Sequence, residues 1–171
     1  MEKILLHICC GVCCGHAVRQ LQADGFEVAG YFYNPNILPR EEYELRLQAA
    51  LKAASALGIK LIEGQYDSDG WLNAVKGLER EPEGGRRCPV CFEFRIRKTF
   101  EKASELGIAS VASTLSISPH KETAIINEIG LRLSPDSFKP YNFKKQDGFK
   151  KTSVFAREHN LYRQHYCGCK F

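Results

Sequence analysis

Residues 3–16 read KILLHICCGVCCGH, an apolar run that leads directly into four cysteines within six positions. Residues 3–8 predict a buried strand, because short continuous apolar runs are typical of strands covered on both faces. A helix is predicted over residues 16–23, so the cysteines occupy the turn between a strand and a helix. This order is the first half of a strand–helix–strand unit, the repeating element of α/β folds.

The rest of the chain continues the alternation. Further strands are predicted over residues 26–33, 59–62 and 108–113, and helices over residues 40–57, 71–78, 91–106, 118–129 and 152–159, with Pro119 in the first turn of the 118–129 helix. Alternation of this kind predicts a parallel sheet with helices on both faces, in a single domain spanning residues 1–171. Ligands bind such sheets at the carboxyl ends of the strands, which is where the first cysteines lie.

Composition places the chain among ordinary globular proteins, with 44% hydrophobic and 26% charged residues in a length of 171. No apolar run approaches the roughly 20 residues that a membrane helix needs. The start of the sequence also lacks the pattern of a secretory signal. We therefore expect a cytoplasmic protein with no membrane partner, in which clustered cysteines serve metal binding or redox chemistry more often than structural disulfides.

Positive charge is concentrated near the end of the chain. Residues 138–171 contain eight Lys or Arg against two acidic residues, a net charge of +6, whereas the remaining 16 basic and 18 acidic residues give −2. A basic segment on a nearly neutral body is typical of a protein with a polyanionic partner. An ordinary solvated surface is the alternative, and charge alone leaves both open.

The eight cysteines occur in three groups: Cys9, Cys10, Cys13 and Cys14; Cys88 and Cys91; Cys167 and Cys169. A lone cysteine is usually a small buried hydrophobic residue, an interpretation that suits Cys14 but not eight clustered thiols. Cys88 and Cys91 form a CxxC at a predicted helix start, where both a metal and a redox dithiol are favoured. Together with Cys9 and Cys10 they would make a four-thiolate site for zinc or for an iron–sulfur cluster, and the spacing does not separate the two.

The last two cysteines form a CxC motif close to residue 171. Because chain termini are commonly mobile, Cys167 and Cys169 are predicted to lie on a mobile segment and to exchange between dithiol and disulfide. Additional metal ligands or inert thiols are the alternatives.

The three cysteine groups and their surroundings resemble the cobalamin-independent epoxyqueuosine reductase family (QueH). The resemblance rests on seven blocks in the family's order: LLHICCGVCC, YFYNPNILPREEY, YDSDGWL, GGRRCPVCFEFR, STLSISPHK, FKKQDGFKKT and LYRQHYCGC. It extends over essentially the whole chain. Two positions depart from the family pattern: Cys14, where Ser or Ala is more usual, and Leu38, where His is common.

The resemblance implies a Rossmann-like fold of the adenine-nucleotide α-hydrolase type. An SGGxDS-type phosphate loop is missing after the first strand, where the cysteines stand instead, so an ATP site is not expected. The implied reaction is the last step of queuosine formation. In that step epoxyqueuosine in the anticodon of a tRNA loses its epoxide oxygen. The reaction consumes two protons and two electrons, and the electrons come from an unidentified donor.

The resemblance also implies roles for the cysteines. Cys9, Cys10, Cys88 and Cys91 would ligate a [4Fe–4S] cluster, and Cys167 and Cys169 would be the redox-active pair. Because a cluster transfers single electrons, we hypothesise a second adjacent iron held by Cys13 and Asp67, with Asp147 as the alternative carboxylate. Asp67 would otherwise be only the N-cap of the next helix.

A tRNA partner accounts for the basic segment. The predicted phosphate contacts are Lys144, Lys145, Lys150, Lys151 and Arg163. The aromatic residues among them, which either stack on a displaced base or pack against the body, are Tyr141, Phe143, Phe149 and Tyr162. His120 and Lys121 are candidates for proton donation or phosphate binding, whereas His7 and Trp71 are predicted in the core.

Three other classes of function fit parts of the pattern. The first is a structural zinc protein that binds RNA without catalysis, and the second is a thiol oxidoreductase that acts on protein disulfides through Cys88 and Cys91. The third is a tRNA sulfur-transfer enzyme of the ATP-pyrophosphatase type, which the absent phosphate loop disfavours.

Overall fold

A four-stranded parallel sheet forms the centre of the protein, in a computed structural model that describes residues 1–171. The strands are β1 (Glu2–His7), β2 (Phe26–Phe32), β3 (Lys60–Glu63) and β4 (Ser110–Ser113), in the order β3-β2-β1-β4. The helices are α1 (Cys14–Ala23), α2 (Arg40–Leu57), α3 (Ser68–Ala74), α4 (Arg87–Glu105), α5 (Thr123–Leu133) and α6 (Gly148–Glu158). The predicted α/β, Rossmann-like fold is confirmed.

The sheet separates two hydrophobic clusters, because successive side chains of a strand point to opposite faces. Ile4 and Leu6 of β1 pack with apolar residues of α1, α2 and α6. Leu5, between them, packs with residues of α4 and α5. The core therefore lies on both faces of the sheet, as the near-continuous apolar run of β1 predicts.

His7 ends β1 as a buried core residue, in agreement with its sequence pattern. Its Nδ1 lies 3.0 Å from Ser113 Oγ and its Nε2 lies 3.0 Å from the carbonyl oxygen of Tyr33. Burial lowers the pKa of His7 to about 3, so the imidazole is neutral. His7 pairs in register with Tyr31 on one side and Ser113 on the other, so the loops after β1, β2 and β4 leave the sheet at the same edge.

The helix predicted over residues 118–129 is wrong at its start. A 3₁₀ helix covers Thr114–Ile117, and α5 begins only at Thr123. Ser118 is extended, with φ −70° and ψ 129°, because the residue before a proline is sterically driven away from the helical region. Pro119 therefore lies in a loop at the carboxyl edge of the sheet instead of in a first helical turn.

Other helix boundaries also differ from the prediction by up to four residues, whereas α2 agrees with it at both ends. α3 ends at Ala74, α4 begins four residues early at Arg87, and α6 begins four residues early at Gly148. The guanidinium of Arg87 donates to the carbonyls of Leu78, Glu79 and Glu81, which folds the preceding loop back and lets α4 begin there. None of the helices has the length and apolarity that crossing a bilayer requires.

Candidate active site

The turn after β1 brings three sulfur atoms together. The Sγ atoms of Cys9, Cys10 and Cys13 all lie within 4.8 Å of one another. Cys10 and Cys13 are paired as a disulfide with Cα atoms 5.5 Å apart, and the Cys9 sulfur lies 4.0 Å from that of Cys10. This grouping has the spacing of a metal site, and the pairing joins two cysteines that the sequence assigns to different metals.

Gly11 allows this turn to sit directly on α2. A Cβ atom at Gly11 would lie 2.5 Å from the backbone carbon and oxygen of Ala49, far closer than packed atoms approach. The glycine is thus required by close approach of two backbones.

Cys14, the next cysteine, is fully buried in α1 and its thiol donates to the Cys10 carbonyl at 3.4 Å. Burial raises the pKa of Cys14, in keeping with its interpretation as a buried hydrophobic residue.

The second and third cysteine groups contact each other. Cys88 and Cys91 lie three residues apart on one face of α4, and together with Cys167 and Cys169 they border a small cavity of about 20 Å³. The Cys169 thiol lies beside Cys91 and Cys167, and its proximity lowers the pKa of both of these thiols. The same contacts raise the pKa of Cys169. Two cysteine pairs that are far apart in sequence therefore form one group of four thiols.

Arg95 is a buried cation that lies among all three cysteine groups. Its side chain donates from Nη1 to the Asn34 carboxamide oxygen at 3.2 Å. Burial by itself would lower the pKa of Arg95, but the neighbouring cysteines, Cys91 first and then Cys9, raise it overall. The Arg95 charge in turn favours the thiolate of Cys91. Arg95 is the shared counter-charge of the cysteine site.

A larger cavity of about 390 Å³ opens beside the cysteines, within the size range of small-molecule sites. Cys9, Cys13 and Cys167 are among the residues that line it. The wall also carries Arg95, Lys121 and Arg163, together with Arg46, whose buried charge is paired with Glu42, and its single acid is Glu83. The cavity therefore combines thiols with a surface suited to an anionic ligand.

The predicted mobility of the CxC segment is wrong, because several contacts hold the segment down. The Leu38 amide donates to the Gly168 carbonyl at 2.9 Å, and the Tyr166 hydroxyl donates to the Leu38 carbonyl. Further along, Phe171 stacks on the buried ring of Trp71 with ring centroids 5.9 Å apart. The segment is thus held against the body at several points, and Trp71 is a core residue as predicted.

The residues predicted to contact tRNA divide into two sets. Lys145, Lys150, Lys151 and Arg163 are exposed. Lys144 instead donates from Nζ to the carbonyls of Ser118 and Lys121, at 3.0 and 2.5 Å, and burial lowers its pKa. Lys144 therefore holds the Pro119 loop in place.

Most of the interleaved aromatic residues pack against the body. Phe143 is fully buried, and Tyr141 stacks on it with ring centroids 5.0 Å apart. The hydroxyl of Tyr162 donates to Glu42 at 2.7 Å. Phe149 differs from these three, because it is 44% exposed and borders the large cavity. Phe149 is thus the aromatic side chain with a face available for stacking on a base.

Comparison with known proteins identifies the family. A family model described as "Epoxyqueuosine reductase QueH" matches residues 4–171. The chain belongs to the QueH family of epoxyqueuosine reductases. Proteins named epoxyqueuosine reductase QueH are similar to it: that of Streptococcus pyogenes serotype M1 is 37% identical over 99% of this chain and 69% of its own length, and that of Haemophilus influenzae is 37% identical over 99% and 71%. The protein of the same name from Thermotoga maritima is 32% identical over 100% of this chain and 90% of its own length.

The QueH family model matches nearly the whole chain, but it does not assign roles to single cysteines, so those roles stay predictions.

Two arginines of the site, Arg46 and Arg95, are not among the residues predicted from the sequence. Arg95 follows Cys91 by four residues and Cys88 by seven, a spacing that puts all three on one helical face. Arg46 lies among the buried residues of α2. Both arginines occupy helical positions whose neighbours on the same face are buried, and a charged residue at such a position is the sequence signal that could have identified them.

The carboxylates proposed for a second iron lie outside the three-sulfur group. Asp67 is the N-cap of α3, and its Oδ1 accepts from the Gly70 amide at 3.0 Å. Asp147 is exposed at the N-cap of α6 in a left-handed conformation, with φ 58°. Neither side chain borders the large cavity. The capping role predicted for Asp67 is confirmed, whereas its role as an iron ligand stays a prediction.

Substitutions at Asp67 distinguish capping from metal binding in this QueH member. Asp67→Ala is expected to lower the free energy of unfolding by about 1 kcal/mol, because the Gly70 amide loses its acceptor. Asp67→Asn is expected to restore the stability, because asparagine caps helices as well as aspartate does. Denaturant titration of the two variants measures the difference, and equal stabilities for Ala and Asn would contradict the capping role. Iron content of the Asn variant, measured in parallel, reports on any ligand role separately.

Proposed function

We propose that this chain is an epoxyqueuosine reductase that removes the epoxide oxygen of epoxyqueuosine in tRNA, with residues 1–171 acting as a single catalytic domain in the cytoplasm. One observation carries the proposal beyond family membership. Cysteine groups from the beginning, the middle and the end of the sequence converge around Arg95, beside a cavity with a cationic wall. This arrangement supports redox chemistry on a polyanionic substrate, which is what the family name requires.

The number and type of the proposed donors support a [4Fe–4S] cluster, although only Cys9 and Cys10 of the four belong to the close three-sulfur group. Cys9 and Cys10 lie on the loop after β1, Cys88 and Cys91 lie on α4, and a [4Fe–4S] cluster takes four cysteine thiolates. The buried charge of Arg95 offsets part of the negative charge that such a set carries. When bound, the cluster supplies single electrons at a potential set by its surroundings. Cys10 becomes available as a ligand after its disulfide with Cys13 is reduced, because only the thiolate binds iron.

The CxC pair matches the stoichiometry of the reaction. Removal of the epoxide oxygen as water breaks two C–O bonds and consumes two electrons and two protons. Oxidation of the Cys167 and Cys169 thiols to a disulfide releases two electrons and two protons. Cys167 borders the large cavity, and this position supports its role as the thiol nearest the substrate. The disulfide is then reduced by an external electron donor that regenerates the pair.

A second iron beside the cluster is the finer part of the proposal. Cys13 lines the large cavity, which supports a metal that is open to substrate once the disulfide with Cys10 is reduced. Asp67 is the carboxylate proposed to complete its ligands. Loss of iron in Asp67→Asn without loss of stability would support this assignment, and unchanged iron content would remove it.

The substrate-binding surface follows from the exposed cations. Lys145, Lys150 and Lys151 lie exposed at the start of α6, next to Phe149. Arg163 lies at the cavity, so the surface continues from α6 to the thiols. A phosphate backbone on these side chains would bring an unstacked anticodon base to Phe149 and the cavity.

Removal of two of these lysines is expected to weaken tRNA binding in a salt-dependent way. In Lys150→Ala/Lys151→Ala, the slope of log affinity against log salt concentration should become shallower by about 2, because each phosphate contact contributes roughly 0.9. The turnover number at saturating tRNA should be unchanged. The matched control is Lys98→Ala/Lys102→Ala on α4, which removes the same charge at residues that pair with Glu101 and Glu105. A wild-type slope in the first variant would contradict the assignment.

The proposed function is tested directly with anaerobically purified full-length protein. Iron and sulfide are measured first, and the protein is then assayed on tRNA that carries epoxyqueuosine. We expect iron, sulfide and conversion to queuosine. Colourless, zinc-containing protein that binds RNA without turnover would favour the structural zinc alternative, and reduction of protein disulfides without metal or RNA would favour a thiol oxidoreductase.

A further inference from the structure

Arg46 of α2 is a buried arginine whose guanidinium holds the backbone of the CxC segment. Its side chain is 2% exposed, and it donates from Nη1 to the Cys167 carbonyl at 3.0 Å and from Nη2 to the Tyr166 carbonyl at 2.9 Å. Nε donates to Glu42 at 2.8 Å. The planar fork of arginine presents several donors in fixed directions, so one side chain fixes two consecutive carbonyls.

Residues on both sides of the arginine complete the arrangement. The second carboxylate oxygen of Glu42 accepts from the Tyr162 hydroxyl at 2.7 Å. The ring of Tyr166 lies under the guanidinium, 5.0 Å from its carbon to the ring centroid. The buried charge of Arg46 is thus paired by Glu42, satisfied by two carbonyls and covered by an aromatic ring, as a buried charge requires.

Gly168, the residue between the two cysteines, packs against Arg46 and its neighbours. Gly168 has φ 121°, in the left-handed region that favours glycine. Its carbonyl accepts from the Leu38 amide, and a Cβ at Gly168 would lie 3.0–3.3 Å from side-chain atoms of Asn36, Ile37 and Arg46. The segment therefore has little room to shift relative to α2 and the loop after β2.

The consequence concerns the two sulfur atoms. Cys167 borders the large cavity, whereas Cys169 is absent from its wall and packs beside Cys91. We propose that Arg46 is a positioning residue for the reductase reaction, which fixes the CxC segment so that Cys167 faces the substrate cavity and Cys169 faces Cys91. The inference rests on the proposed redox role of the pair. Without the two carbonyl contacts, the sulfurs would sample other positions and meet the substrate less often.

The test compares Arg46→Lys with Arg40→Lys in the anaerobically purified full-length protein. Lysine keeps the charge of Arg46 but lacks the fork, whereas Arg40 is an exposed arginine on the same helix that pairs with Glu44. Because the Leu38 amide donates to the Gly168 carbonyl, its hydrogen exchange reports on docking of the CxC segment. We expect about tenfold faster exchange at Leu38 in Arg46→Lys, the effect of losing charge-assisted hydrogen bonds, with exchange in β1 and β2 unchanged.

Two further measurements separate positioning from simple structural support. The turnover number on epoxyqueuosine-containing tRNA is expected to fall about tenfold in Arg46→Lys with KM changed by less than about twofold, since misplaced reacting groups slow the chemical step and leave binding intact. The midpoint potential of the Cys167–Cys169 couple, measured by alkylation in glutathione buffers, is expected to shift. Arg40→Lys should resemble the wild type in every measurement.

Several results would overturn the inference. Wild-type exchange at Leu38 would show that Arg46 does not hold the segment, and a wild-type turnover number and potential would show that its contacts do not matter for the reaction. Faster exchange throughout the sheet would indicate a general structural role. If Arg46→Lys does not fold, Tyr162→Phe removes only the hydroxyl that orients Glu42, and it must produce a smaller change of the same kind. Normal turnover in Cys167→Ser/Cys169→Ser would defeat the redox role itself, and exchange at Leu38 would still report on Arg46.

Discussion

Replacement of Cys91 by serine is expected to remove reductase activity and most of the bound iron. Cys91 is 3% exposed on the inner face of α4, where it contacts Cys169 and lies close to the charge of Arg95. Serine preserves the shape of the side chain, but its hydroxyl is a poor ligand for iron. Loss of a group that only supports a ligand commonly costs 10–100-fold, so loss of a ligand should cost at least about a hundredfold in activity.

Cys14→Ser is the matched control for this variant. Cys14 is equally buried and undergoes the same exchange of sulfur for oxygen, and a serine hydroxyl can keep the hydrogen bond to the Cys10 carbonyl. We expect this variant to keep its iron, sulfide and activity. Iron and sulfide analysis together with turnover on modified tRNA measure both variants. Full iron content in Cys91→Ser would contradict the assignment of Cys91 as a cluster ligand.

The Cys167→Ser/Cys169→Ser variant is expected to lose activity while it keeps its iron: full iron content with turnover reduced by at least about a hundredfold, since residues that act together in the chemical step are lost as a unit. The reason is that the variant has no dithiol from which two electrons and two protons can be drawn. The measurement is steady-state conversion of epoxyqueuosine to queuosine on tRNA, with iron and sulfide determined on the same sample.

The outcome separates the three interpretations of the CxC motif. Loss of iron in the double variant would identify Cys167 or Cys169 as a metal ligand. Normal turnover would leave both as inert thiols. Cys169 lies beside Cys91, a proposed metal ligand, so a substitution at Cys169 could affect either metal binding or redox chemistry. Metal content and turnover must therefore be measured together.

The sequence predicts the fold well because the fold depends on local patterns. The apolar run of β1, the periodic face of α2 and the closing Gly58 each act over a few residues, and Gly58 does adopt a left-handed C-cap with φ 67°. The meeting of loops at one edge follows from parallel topology alone. That rule brings Cys9 and Cys13 to the cavity without any knowledge of side-chain packing.

The parts that the sequence does not predict depend on contacts between distant residues. The CxC segment looks mobile because it is terminal, yet Arg46, about 120 positions earlier, holds its carbonyls. Lys144 looks like a phosphate contact because it is basic, yet its ammonium group donates to two carbonyls of the Pro119 loop. Periodicity and charge counts carry no information about such pairings.

The close approach of Gly11 to Ala49 gives α2 a constraint on its length. α2 supports the cysteine turn through the backbone of Ala49, and it holds the CxC segment through Arg46, less than one helical turn away. Insertion of a single residue between these two positions would rotate one support against the other by about 100°. Insertions in the connecting loops can be absorbed locally, but this short piece of helix sets the spacing between the first and the last cysteines.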